Sequence, residues 1–231
     1  MRRKRHIIHY LSGKEPDIPK GYIPLEYIES TGAQYINTGF TPNQDTRVVC
    51  DFQFTEPPDS QWIIFGARTG GAGTDLHFVF GYSLNKGFRT DYKNSQDFVN
   101  GDFDPIGKHT VDKNKNKTTI GGSTVTQKYE EFTTTNNDLV LFGISSAGSV
   151  WTRTKMRMYS CQIYDNDVLV RDYKPYINPN GEVGLYDMVG KMFYGNAGEG
   201  EFVAGFAGSS VSYTINRTIR GEEMTEEVEE I

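Results

Sequence analysis

The sequence predicts an all-β fold of antiparallel strands joined by hairpins. Three observations support this prediction. Short stretches alternate apolar and polar residues with a period of two, as a strand with one buried face does. Glycine, proline, asparagine and aspartate interrupt the chain so often that a helix longer than about two turns has no room. The composition of 13% aromatic residues and 25 glycines also fits many strands and tight turns.

The alternating pattern is fullest at residues 156–164. Three residues of this stretch are predicted to share its buried face: Tyr159, Cys161 and Ile163. Residues 165–167, Asp-Asn-Asp, supply a turn, because these side chains bond locally to the backbone and tolerate its left-handed region. Residues 168–173 then return as the partner strand.

Further strands are predicted along the whole chain by the same pattern or by short apolar runs. They fall within residues 34–54 (two strands), 61–67, 76–81, 86–92, 108–113, 117–121, 139–144, 182–186 and 191–194. The polar residues 95–104 are predicted as a loop. Residues 212–219 alternate again and predict an extra strand beyond the main body.

Three segments resemble a known family. They are LEYIESTGAQYINTGF at residues 25–40, the hairpin GKHTVDKNKNKTTIGG at 107–122, and YSCQIYD followed by PNGEVGLYDMVGKMFYGNAG at 179–198. In this order they resemble the laminin-G-like, concanavalin-A-like domains of bacteriophage and prophage structural proteins and of gut-bacterial surface proteins. The resemblance implies an antiparallel two-sheet jelly-roll sandwich. It says little about function, because this fold serves lectins, glycosidases and scaffolds.

The chain divides into a sandwich with extended N- and C-terminal arms. We predict a basic N-terminal arm at residues 1–22, the sandwich at 23–205, and an extra strand with an acidic tail at 206–231. The tail from residue 221 onward is predicted to be solvated and without regular structure, or to pair with a basic partner surface. The arm carries the residues that we expect to make assembly contacts: Arg2, Arg3, Arg5, Ile7, Ile8 and Tyr10.

The first functional hypothesis is a non-enzymatic structural protein of a bacteriophage particle, in a fibre, decoration or tail-associated position. It implies other virion proteins as partners, a homo-oligomer, contact with host surface glycans, and assembly in the host cytoplasm into an extracellular particle. The alternative is a carbohydrate-binding adhesion module of a bacterial surface protein.

A glycan site on such a sandwich needs an aromatic platform with polar donors nearby. The candidates are Trp151, Tyr92, Asp91, Asn94 and Asp97. Trp62 is assigned to the core, because it precedes Ile63 and Ile64. Trp151 follows a Gly-Ser loop, and both a core and a surface position stay open for it.

Other functions lack their sequence signatures. We find neither the Glu-x-Asp-x-Glu strand pattern of a glycosidase nor a Ser-His-Asp order, and therefore expect no enzyme. The four histidines are scattered and predict no metal site or cofactor, while calcium is left open by the resemblance. A net charge of −6 and short apolar runs argue against nucleic acid and membrane insertion. Cys50 and Cys161 are interpreted as small buried hydrophobes.

Overall fold

The computed structural model describes residues 18–70, 76–152, 154–207, 213–219 and 222–228. Within these ranges it is all-β and contains no helix, which confirms the predicted fold class. The strands are β1 (Ile23–Pro24), β2 (Tyr27–Thr31), β3 (Ile36–Asn37), β4 (Thr46–Phe54), β5 (Trp62–Arg68), β6 (His77–Ser83), β7 (Gly87–Lys93), β8 (Ser95–Phe98), β9 (Lys108–Asn114), β10 (Lys117–Ile120), β11 (Ser123–Thr126), β12 (Val140–Leu141), β13 (Gly143–Ser146), β14 (Ser149–Thr152), β15 (Lys155–Asp165), β16 (Val168–Ile177), β17 (Val183–Asp187), β18 (Met192–Tyr194), β19 (Val203–Gly205), β20 (Tyr213–Ile219) and β21 (Glu222–Val228).

Two sheets form a sandwich. The first sheet has the order β11-β10-β9-β4-β15-β16-β17-β18, with β1 beside β16 and β2 between β15 and β19. The second sheet has the order β14-β13-β5-β6-β7-β8, and β12 links β3 to β5. Its ladders are antiparallel apart from a short parallel contact between β13 and β5, which pairs Ser145 with Ala67 and Ser146 with Arg68.

Aromatic side chains fill the space between the sheets. Strand β4 buries every second residue, as its alternation predicts. Phe52 and Phe54 of the first sheet meet the second sheet, where the ring centroids of Phe54 and Trp62 lie 5.2 Å apart and those of Phe52 and Phe80 lie 6.2 Å apart. Trp62 is therefore a core residue, as expected. Removing such a side chain from water contributes about 1.5–3 kcal/mol.

One predicted core position is wrong. Met158, Cys161 and Ile163 are buried, but Tyr159 points to the outer surface of the first sheet. The pairing of β15 with β4 shifts between Met158 and Ser160, and the extra residue of this bulge reverses the alternation. The hydroxyl of Tyr159 instead donates to Gln53 Oε1 at 2.7 Å.

The two cysteines lie directly opposite each other in β4 and β15. Both are fully buried and neither forms a disulfide. Burial, the neighbouring Cys161 thiol and nearby charge raise the pKa of the Cys50 thiol well above its usual value. The pair therefore packs as two small apolar side chains, as the sequence interpretation holds.

Two segments that were predicted to be irregular contain strands. Ser95–Phe98 forms β8 and pairs with β7, because a turn at Asn94 brings the chain straight back. Glu222–Val228 forms β21 and pairs with β20, with Ile219 opposite Glu222. The expectation of an irregular acidic tail is thus corrected for these residues.

The predicted assembly contacts lie outside the described residues. The assembly residues of the N-terminal arm, Arg2, Arg3, Arg5, Ile7, Ile8 and Tyr10, fall in the undescribed range 1–17. Within the described ranges, no helix has the length and apolar character needed to cross a membrane. In the same part of the chain, no group of three or more histidine, cysteine, aspartate or glutamate side chains is placed to hold a metal ion.

Candidate functional site

A cavity of about 340 Å³ opens on the outer face of the second sheet. Small-molecule sites usually occupy roughly 300 to 1,000 Å³, so the cavity is large enough to hold a ligand. Its lining comes from β5, β6, β7, β13 and β14 and from the segments before β5 and β15. The lining residues are Ser60, Gln61, Ile63, Arg68, Val79, Arg89, Asp91, Ile144, Trp151 and Thr154.

A glycine in the middle of this face leaves space that neighbouring side chains fill. Gly66 sits in β5 between β6 and β12, and its hydrogen faces the same side as the cavity-lining residues Ile144 and Val79. A Cβ atom at this position would lie 3.1 Å from Ile144 Cγ1 and 3.2 Å from Val79 Cγ1. The two aliphatic side chains therefore close over Gly66 and form an apolar floor.

The polar wall on β7 is an ion pair. The guanidinium of Arg89 makes a two-pronged contact with Asp91, in which Nε donates to Oδ1 at 2.8 Å and Nη2 donates to Oδ2. His77 Nδ1 lies 3.5 Å from Asp91 Oδ2. Burial opposes ionisation of Asp91, but the hydrogen bonds from His77 and Arg89 outweigh it and lower the pKa of this carboxyl. Asp91 is therefore charged at neutral pH and cancels one positive charge.

The second arginine, on β5, is held by a hydroxyl rather than by a carboxylate. Arg68 Nε donates to Ser146 Oγ at 2.8 Å. The parallel pairing of β5 with β13 places these two residues side by side. Among the described residues, no carboxylate lies within ion-pair distance of Arg68. Within this part of the chain, the positive charge of Arg68 at the cavity wall therefore has no counter-charge.

An exposed tryptophan forms the rim of the cavity. Trp151 of β14 pairs directly with Ile144 of β13, so both side chains stand on the cavity side of the sheet. Trp151 is 62% exposed, the second-largest exposure among the large apolar side chains of the described residues. An aromatic ring beside a concave polar surface is available to contact a ligand.

A buried threonine fixes the remaining wall. The backbone N–H of Ile63 donates to Thr154 Oγ1 at 2.9 Å, and the same hydroxyl donates to the carbonyl of Ile63 at 2.7 Å. Thr154 is fully buried and precedes β15. The start of β5 pairs with β6 on one edge, and the two bonds from Thr154 satisfy the backbone of Ile63 and hold the cavity edge in position.

The structure brings together two of the five predicted glycan residues. Trp151 and Asp91 both line the cavity, and Asp91 belongs to its polar wall through the ion pair with Arg89. Tyr92 does not: it is fully buried in the core, and its hydroxyl donates to the carbonyl of Glu130 at 3.1 Å. Asn94 is exposed in the turn after β7, and Asp97 of β8 accepts from the N–H of Phe98, so neither lines the cavity.

Sequence reasoning missed both arginines. Arg89 stands two residues before Asp91, and residues i and i+2 of a strand share a face, so this pattern was available. Arg68 offers no such signal, because its partner Ser146 lies 78 residues away along the chain.

Comparisons with known proteins give only weak similarities. No protein-family model and no curated protein matches the chain. CBM40 of the Ruminococcus gnavus IT-sialidase gives a TM-score of 0.48 at 17% identity, covering 64% of this chain and 93% of that one, and the same domain bound to α2,3-sialyllactose gives 0.48. A Trypanosoma rangeli sialidase mutant with trans-sialidase activity gives 0.41 at 16% identity, covering 54% and 21%. Scores of this size carry no argument about function.

Proposed function

We propose that this chain is a non-enzymatic glycan-binding module that holds a sugar in the cavity of the second sheet. The observation that carries the proposal is Trp151, 62% exposed at the rim of a concave surface that also presents charged and amide groups. An aromatic ring exposed beside a concave polar surface is a typical contact for a bound ligand.

The lining combines the two contacts that a sugar requires. Its C–H face packs against an aromatic ring, while its hydroxyls need fixed donors and acceptors. Gln61, Ser60 and Arg68 supply polar groups around the opening. The Arg89–Asp91 ion pair adds a rigid polar wall, because each side chain locks the other.

The cavity is not equipped for glycoside hydrolysis. That reaction uses two carboxyl groups on opposite sides of the scissile bond. Among the described lining residues Asp91 is the one carboxylate. Its contacts with Arg89 and His77 lower its pKa and hold it in an ion pair, so it is a poor proton donor for hydrolysis. A binding role therefore fits this site better than a catalytic one.

A structural role on a bacteriophage particle stays a prediction from the sequence resemblance. It relies on assembly residues such as Arg2, Ile7 and Tyr10, which the structure does not describe. The two hypotheses are compatible, because a module displayed on a particle or on a cell surface would use the same cavity to attach to glycans.

The test is a glycan array probed with the full chain, followed by titration calorimetry of each glycan that binds. We expect saturable binding that Trp151→Ala weakens by at least ~10-fold, since stacking and apolar contact contribute about 1–3 kcal/mol. Met192→Ala is the matched control, because Met192 is 53% exposed on β18 of the other sheet. Absence of binding to any glycan, or equal losses in both variants, would contradict the proposal.

A further inference from the structure

We propose that the cavity selects sugars that carry a carboxylate, and that Arg68 is the residue that recognises it. This inference rests on the proposed function, and it names the ligand class of the same site. Its basis is the charge balance among the described residues of the cavity wall.

The described lining has three charged side chains, Arg68, Arg89 and Asp91. Arg89 and Asp91 neutralise each other through their two-pronged contact, and the lowered pKa of Asp91 keeps this carboxylate ionised at neutral pH. Arg68 is left without a counter-charge among the described residues. Within the part of the chain that the structure describes, the wall therefore holds one uncompensated positive charge, which a ligand with one negative charge would balance.

The contact with Ser146 orients this charge without neutralising it. Arg68 uses Nε for its bond to Ser146 Oγ, so this bond leaves the two terminal nitrogens able to donate to a ligand. Ser146 is only 6% exposed and is fixed by the ladder between β13 and β5. A guanidinium held at one edge presents a planar fork, and the two oxygens of a carboxylate match such a fork.

The surroundings strengthen this interaction. Ile144 and Val79 form an apolar floor, and low-polarity walls reduce the screening of a charge by water. An ester or amide of the same sugar keeps its shape and its hydroxyls but loses the charge. Comparison of acid and ester therefore isolates the interaction that Arg68 is proposed to make.

The experiment titrates the full chain with methyl glycosides of N-acetylneuraminic acid and glucuronic acid, each beside its methyl ester, and with galactose 6-sulfate. We expect at least one acid to bind at least ~10-fold more tightly than its ester, because the ester cannot form charge-assisted hydrogen bonds with Arg68. Arg68→Gln should remove this difference, because it should weaken binding of the acid far more than binding of the ester.

Arg47→Gln is the matched control, because it removes the same charge from the other sheet, where Arg47 pairs with Asp112 at 2.7 Å. It should preserve the preference for the acid. Equal binding of acid and ester, or preference for the sulfate, overturns this inference while the glycan-binding proposal stands. If none of these probes binds but the array yields neutral glycans, the inference alone fails. If no glycan binds at all, both fail.

Discussion

The ammonium group of Lys113 donates a 2.8 Å hydrogen bond to the hydroxyl of Thr90, and both side chains are fully enclosed between the two sheets. Lys113 belongs to β9 of the first sheet and Thr90 to β7 of the second, so the bond spans the sandwich. The rings of Phe78 and Tyr92 lie 4.8 and 5.9 Å from the ammonium. Burial nevertheless dominates and lowers the pKa of Lys113 to about 7, against a weaker opposing effect of the Asp91 charge.

Stability should therefore rise between pH 7 and pH 9. In the unfolded chain Lys113 stays protonated up to about pH 10.4. The folded chain releases this proton near pH 7, so the unfolded state binds more protons across this window. The free energy of unfolding therefore increases as the pH rises. Urea denaturation at pH 7, 8 and 9 measures the free energy of unfolding. Higher pH is avoided because burial raises the pKa values of Tyr92 and Tyr173 in the folded protein. Above about pH 10 these tyrosines would ionise in the unfolded chain first, which lowers the free energy of unfolding.

Lys113→Met provides the control for this prediction. Methionine fills a similar volume and carries no charge, while Thr90 keeps its hydrogen bond to Thr118 at 2.7 Å. The variant should be more stable than the wild type at pH 7 and should lose most of the slope with pH. An unchanged slope would show that another group is responsible.

Thr154→Val should destabilise the protein without a large change in shape. The substitution leaves both the N–H and the carbonyl of buried Ile63 without their hydroxyl partner. An unsatisfied buried polar group costs about 1–3 kcal/mol, so we expect a loss of at least ~2 kcal/mol in the free energy of unfolding. Thr110→Val, an exposed threonine bonded to Asp51, should change it by less than ~0.5 kcal/mol. Similar effects of the two substitutions would refute the role of Thr154.

The sequence predicts the strands well because the period of two is a local property. Alternation in β4 identifies its buried face correctly. It fails at Tyr159, because a bulge depends on the partner strand and leaves no mark in the residues themselves. It also fails to predict β21, which forms through pairing with β20.

The candidate site is only half visible in the sequence. Asp91 and Tyr92 are neighbours in one strand and point to opposite faces, so they cannot share a ligand, and alternation alone excludes one of them. For Trp151, the preceding Gly-Ser loop is the sequence feature that is compatible with an exposed ring. Arg68 and Ser146 meet through a parallel ladder between distant segments, a contact that local pattern does not specify.

The two cysteine thiols should be inert in the folded protein. Cys50 and Cys161 are fully buried, and the raised pKa of Cys50 suppresses the reactive thiolate. Ellman's reagent should titrate neither thiol under native conditions and both in concentrated guanidinium. Prompt reaction of the native protein would contradict the packing of β4 against β15.

Tryptophan fluorescence during glycan titration tests the central claim most directly. The chain has two tryptophans, of which Trp62 is 2% and Trp151 is 62% exposed, so a bound sugar should alter the emission of Trp151 alone. We predict a saturable shift to shorter wavelength that follows the calorimetric binding curve and disappears in Trp151→Phe. Calorimetric binding with no change in tryptophan emission would place the sugar elsewhere and contradict the account.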